Sequence, residues 1–293
     1  MPTLPSEIIA VHLHEIPAKR KQCRLVRFGS RYIVQPPAPV PSLSSLELAP
    51  GTLITFDCPI GLPRTYAHAA GLRSFRDALK TFGRGRFQWF YETADVTEQI
   101  SLHRPFYPTI ARDVSQQRMR EILGDAATAL RQCEMAVKAS PLFWLVGPQQ
   151  RGKVTIQAWR DVLAPRIDSI ALWPYDGPLD ELLSSGSPVV AEVHPGWLLR
   201  TLGLGLINEQ SQSARAGIGL QLFERTKDVD LQAVRRLLLD GFGSSPQGED
   251  DFDVTVSAIA LARLLQQDRL PEPPDQALLV EGWMLGLPPP EAR

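Results

Sequence analysis

Cysteine is scarce in this chain: three residues in 293, Cys23, Cys58 and Cys133, odd in number, far apart and without a C-x-x-C pair. A disulfide framework is excluded, and reduced thiols in a cytoplasmic protein are expected. The five histidines contain no H-x-x-x-H spacing, so with the missing cysteine pairs a zinc centre has no ligand pattern. No G-x-S-x-G elbow is present, which counts against a serine hydrolase. No apolar run is long enough to span a bilayer, and the N-terminus MPTLPSEIIAVHLHEIP has neither the basic start nor the apolar stretch of a signal peptide. A net charge of −1 gives no overall pull towards nucleic acid or an anionic membrane.

The charge that is there is unevenly spread. Residues 62–120 hold ten Lys/Arg against five Asp/Glu, whereas residues 240–293 hold three against ten. A basic surface together with an acidic site suits a polyanionic substrate; scattered solvated side chains give the same counts. The acids stand in three telling stretches. In TLITFDCPIGLP (52–63) an apolar, β-rich run delivers Asp57 to a Pro/Gly turn, as a buried strand does at the C-terminal edge of a sheet, where open α/β sheets bind ligands. VVAEVHP ends a second short strand with Glu192, and GEDDFDVTVSAIALARLL sets Asp250, Asp251 and Asp253 at the mouth of a helix.

Around these the chain alternates in texture. EIIAVHLH, QCRLVRFG and RYIVQP predict a three-strand antiparallel meander, with Gly29-Ser30 turning between the last two. From Arg64 to about Arg166 the spacing is helical, first over 64–83 and then over a longer amphipathic stretch carrying Ile110, Val114, Ile122, Leu130 and Val137. Short strands return in SIALWPYDG and SPVVAEVHP, and helices are predicted over 228–241 and 251–267. The expected architecture is an α/β core from residues 1–63 and 167–293, with a mixed five-stranded sheet and helices on both faces, interrupted by a helical insertion at 64–166.

Each candidate group has a plainer reading beside the chemical one. GPQQRGKV (147–154) fits G-x-x-x-x-G-K, but Val154 stands where a phosphate loop needs Ser or Thr for Mg²⁺, so a polar turn is preferred over a nucleotide-binding ATPase built on Lys153. Acids at a helix start cap orphan N–H groups; Asp250 and Asp253, three apart, also share a side from which two carboxylates reach one metal pair, while Asp251 reads as a capping residue. Glu192, between apolar neighbours, needs a metal or an arginine.

The ordered set FDCPIGLPRTYA, RPFYP, KASPLFWLVGPQQ, LWPYDG, VVAEVHP, GEDDFDVTVSAIALA and VEGWMLG resembles the bacterial domain-of-unknown-function family of predicted nucleases with an RNase H-like fold, over nearly the whole chain. The resemblance implies catalytic acids at Asp57, Glu192, Asp250 and Asp253. It implies hydrolysis of phosphodiester bonds through two Mg²⁺ or Mn²⁺ about 4 Å apart, one activating water and the other stabilising the leaving oxygen. The first strand departs from that pattern: where the fold usually has an aspartate, IIAVHLH offers His12. With Asp57, Glu192 and Asp253, His12 then completes a metal-ligand set that favours Mn²⁺ over Mg²⁺. The alternative is a metal-free site in which His12 hydrogen-bonds Asp57 or Glu192. Arg64, Arg73, Arg76, Lys80 and Arg84, with Arg86, Phe87, Trp89 and Phe90, are read as contacts to phosphates and bases, or else as a helix with core aromatics and solvated arginines. Two function classes follow: a metal-dependent nuclease, and a non-catalytic nucleic-acid or protein-binding module on the same scaffold.

Overall fold

Among the described residues eight strands form one mixed sheet: β1 (Glu7–His12), β2 (Lys21–Phe28), β3 (Arg31–Val34), β4 (Ala38–Pro39), β5 (Thr52–Phe56), β6 (Ala171–Leu172), β7 (Val189–Glu192) and β8 (Val229–Asp230). The computed structural model describes residues 3–40, 42–108, 115–147, 150–205, 208, 210–244 and 247–290. The order is β6-β7-β5-β1-β2-β3-β8, with β4 beside β2. β1, β2 and β3 are antiparallel, as the meander expectation has it, while β1, β5, β7 and β6 run parallel. The sheet therefore has eight strands where five were expected. β4, β6 and β8 are two residues each, too short to show an alternation in sequence. In SIALWPYDG only Ala171 and Leu172 are in register with β7, and the Trp173 N–H makes the last backbone bond to that strand, to the Val190 carbonyl at 2.9 Å.

Burial follows the pairing. β5 is buried at every residue and β1 at all but its first, as strands covered on both faces are, whereas β3 alternates exposed and buried. The helix Gln247–Gln266 packs on β1 and β2. It starts four residues earlier than predicted, and from Val254 to Ala262 it is buried all round, not along a single stripe. The helix Gln212–Arg225 carries no strong apolar periodicity and was not read from the sequence; Ser211 caps it by accepting from the Ala214 N–H. Gly219 lets this helix approach Arg235–Asp240, since a Cβ there would lie 2.0 Å from the Leu238 carbonyl oxygen.

The chain divides into two compact units: residues 1–57, 169–272 and 284–288 in the first, and 58–168, 273–283 and 289–293 in the second. The sequence reading had put 273–283 with the sheet. This segment packs instead in the second unit, where the carbonyls of Leu279, Val280 and Glu281 accept from Phe75 N–H, Leu62 N–H and the Arg131 guanidinium. That unit is helical, but its helices are short. The stretch 64–83 breaks into Arg64–Ala69 and Phe75–Thr81, the second capped by Ser74. The longer expected helix is Gln116–Leu123 and Gln132–Val137, parted at Gly124, whose φ is +64°; Ile110 and Val114 lie outside the described residues. Stacked Phe82, Phe90 and Trp159 fill the core. Among the described residues no helix is long and apolar enough to cross a membrane.

Candidate functional site

The parallel register between β1 and β5 pairs Val11 with Phe56. One residue further on, His12 and Asp57 come side by side where both strands end. Neighbours in register point to the same side of a sheet and successive residues to opposite sides. His12 and Asp57 therefore share the face that carries Ala10 and its cross-strand partner Cys23, the face covered by the helix Gln247–Gln266. Glu192 is in register with Phe56 and belongs to the opposite face. Of the four acids named from sequence, the fold thus brings Asp57, Asp250 and Asp253 together and leaves Glu192 elsewhere. Glu192 is buried, and its backbone carbonyl accepts from the Leu285 N–H at 2.8 Å.

The imidazole of His12 is the link between strand and helix. Its Nδ1 lies 2.6 Å from Asp57 Oδ2 and its Nε2 lies 3.2 Å from Asp250 Oδ1. The second Asp57 oxygen accepts from the Leu13 N–H at 2.9 Å. His12 and Asp57 are 9% and 8% exposed, so these contacts are made out of bulk water. A protonated imidazole has a donor on each nitrogen and makes both contacts at once, placing one positive charge between two carboxylates. The metal-free alternative named Asp57 or Glu192 as the partner of His12; the partners are Asp57 and Asp250. Asp251, expected as a cap, is the fifth residue of a helix that starts at Gln247 and pairs across to the sheet. Its Oδ1 is 3.0 Å from Lys21 Nζ, and Lys21 is the cross-strand partner of His12, so two consecutive helix acids meet the two residues of one rung of the sheet.

Beside this cluster is a cavity of about 10 Å³, room for about one water, whose lining includes His12, Asp57, Asp253 and Ser257. Two residues along, His14 Nδ1 accepts from the Ile16 N–H, and burial together with the Lys19 cation holds its pKa below the ordinary imidazole value. Under the same helix, burial pushes the Cys23 thiol up to about 12, against the pull of a hydrogen bond with Thr255.

A pair of Mg²⁺ or Mn²⁺ ions does not fit this arrangement. Mg²⁺ takes six oxygen ligands, whereas two of the three carboxylates that meet here each have an oxygen engaged by the imidazole. The facing oxygens of Asp57 and Asp250 are turned to the imidazole that separates them. Among the described residues no group of three or more His, Cys, Asp or Glu side chains is placed to hold a metal ion.

The basic residues expected to touch nucleic acid belong to the second unit and have separate fates. Arg64 donates to the Gln276 carbonyl at 2.7 Å, Arg76 to the Ile167 carbonyl, and Lys80 pairs with Asp168 at 2.7 Å. Arg73, Lys80 and Arg84 line one cleft, joined by Arg86. Phe87 and Phe90 are core residues and not stacking platforms, whereas Trp89 is 55% exposed. The phosphate-loop reading of 147–154 has a packing explanation. Gly152 is buried, and a Cβ there would come within 2.5 Å of the Leu142 carbonyl; Pro148 and Gln149 lie outside the described residues.

Fold and site together define an α/β protein with a buried carboxylate–imidazole–carboxylate cluster at the C-terminal ends of two parallel strands. Compared with protein-family models, curated proteins and solved structures, the chain matches none.

Proposed function

We propose that this protein binds nucleic acid through an RNase H-like scaffold without metal-dependent hydrolysis, His12 occupying the place of the metal. The observation that carries this reading is the imidazole set between Asp57 and Asp250, at 2.6 and 3.2 Å. A protonated imidazole at this place supplies the positive charge that a metal would bring, and it engages the facing oxygens of both acids. The scaffold reading is supported by the order β3-β2-β1-β5-β7, a meander continued by parallel strands, and by the motif order that resembles the predicted-nuclease family. The nucleic-acid reading is supported by the exposed cations of residues 73–86.

A second reading, a nuclease dependent on Mg²⁺ or Mn²⁺, is favoured by the meeting of Asp57, Asp250 and Asp253 where β1 and β5 end. One assay decides between them: labelled single-stranded RNA, single-stranded DNA and an RNA–DNA hybrid, scored for binding by anisotropy and for cleavage on gels, with and without each metal. Binding without cleavage is expected. Cleavage that needs metal and disappears in Asp57→Asn establishes the nuclease.

A further inference from the structure

The cleft in the second unit has about 530 Å³ of space, within the range of small-ligand sites. Four cations line it, Arg73, Lys80, Arg84 and Arg86, against one acid, Asp77. They come from both sides of the short helix Phe75–Thr81: Arg73 before it, Lys80 in its last turn, Arg84 and Arg86 in the loop beyond. That loop turns at Gly83 and Gly85, with φ of +80° and +51°, a region glycine enters without strain. Phe87 anchors the loop in the core by edge contacts with Phe82 and Phe90, so its cations are carried on a fixed frame.

The cations are not equally engaged. Arg86 donates to the Ala70 carbonyl at 3.2 Å and lies over the Phe87 ring, and Lys80 is paired with Asp168. Arg73 and Arg84 are exposed and form no ion pair among the described residues. Two exposed guanidinium groups lining one cleft with two further cations suit a polyanion such as a phosphodiester chain, whose phosphates guanidinium binds by paired N–H donors. A concave site of this size admits a single strand, whereas a duplex is met by a wider face.

We infer that this cleft holds the phosphodiester backbone of single-stranded nucleic acid, with Arg73 and Arg84 as the principal phosphate contacts. The inference rests on the nucleic-acid reading above and assigns it a place. The test uses the full chain and a labelled twelve-nucleotide single strand, by anisotropy over a series of salt concentrations. Wild type is compared with Arg73→Gln/Arg84→Gln, and with Arg118→Gln/Arg120→Gln, which removes the same charge from another exposed stretch of the unit. Each phosphate contact on a single strand contributes about 0.7 to the salt slope, so the cleft variant loses about 1.4 in slope and binds about tenfold more weakly, while the control pair keeps the wild-type slope. Unchanged melting temperatures show that both variants fold. If wild type binds and the two variants weaken equally, or the cleft variant does not weaken, the cleft assignment is overturned while nucleic-acid binding stands. If wild type binds no strand, both are overturned.

Discussion

His12 and Asp57 stand side by side at the ends of two parallel strands, Nδ1 to Oδ2 at 2.6 Å, and the contact is fixed by register before any chemistry is considered. Residues 7 to 11 pair with 52 to 56, which leaves 12 beside 57. Whatever occupies position 12 must therefore satisfy a buried carboxylate.

Replacing His12 by alanine takes that partner away from Asp57 and Asp250 together. Leaving a buried polar group unsatisfied costs about 1–3 kcal/mol, more when it is charged, so His12→Ala is expected to lose at least about 2 kcal/mol in urea unfolding. Asp57→Asn should lose less, because an amide oxygen still accepts from the Leu13 N–H. Equal stability of His12→Ala and wild type would mean that the cluster is not held together by its imidazole.

Two glycines of one helix should respond in opposite directions. At Gly219 a Cβ would stand 2.0 Å from the Leu238 oxygen, backbone that cannot turn aside, and Gly219→Ala should cost about 3 kcal/mol or more. At Gly217 a Cβ would meet nothing within 4 Å, and Gly217→Ala should gain up to about 1 kcal/mol of helix propensity. Chemical denaturation followed by circular dichroism reads both.

Cys23 supplies a pH dependence whose sign can be worked out. Its thiol stays protonated to about 12 in the folded protein, against an ordinary value of 9.0, so the unfolded chain releases the proton first. The stabilising contribution is complete below pH 9 and falls as pH rises from 9 towards 12. Wild type should lose more stability than Cys23→Ala between pH 8.5 and pH 10.5. Cys23, Cys58 and Cys133 are all buried, so native protein at pH 8 should react with a thiol reagent far more slowly than denatured protein.

The sheet was legible where side chains alternate or run continuously apolar. β1, β3, β5 and β7 fall inside stretches read as strands and β2 starts one residue before its stretch, at Lys21, and Asp57 was found because a carboxylate ends an apolar run. The two-residue strands left no pattern. The helix Gln212–Arg225 was hidden by Gly217 and Gly219, which lower helix propensity while one of them admits the neighbouring helix. Glu192 shows what strand composition omits. It has the same sequence setting as Asp57, but the β5–β7 register sets it beside Phe56 and so on the other face. The pairing of Asp250 with His12 and Asp251 with Lys21 depends on where a helix lies across a sheet, which no local spacing records.

Titration of Mn²⁺ followed by electron paramagnetic resonance tests the role of His12 most directly, because it reads metal binding apart from any substrate. Wild type is expected to leave Mn²⁺ free up to millimolar concentration, and His12→Asp, which replaces the imidazole with a third carboxylate, is expected to bind it. A wild-type protein that binds Mn²⁺ stoichiometrically below about 100 μM, and loses that binding in Asp57→Asn, would contradict the view that His12 has taken the metal's place.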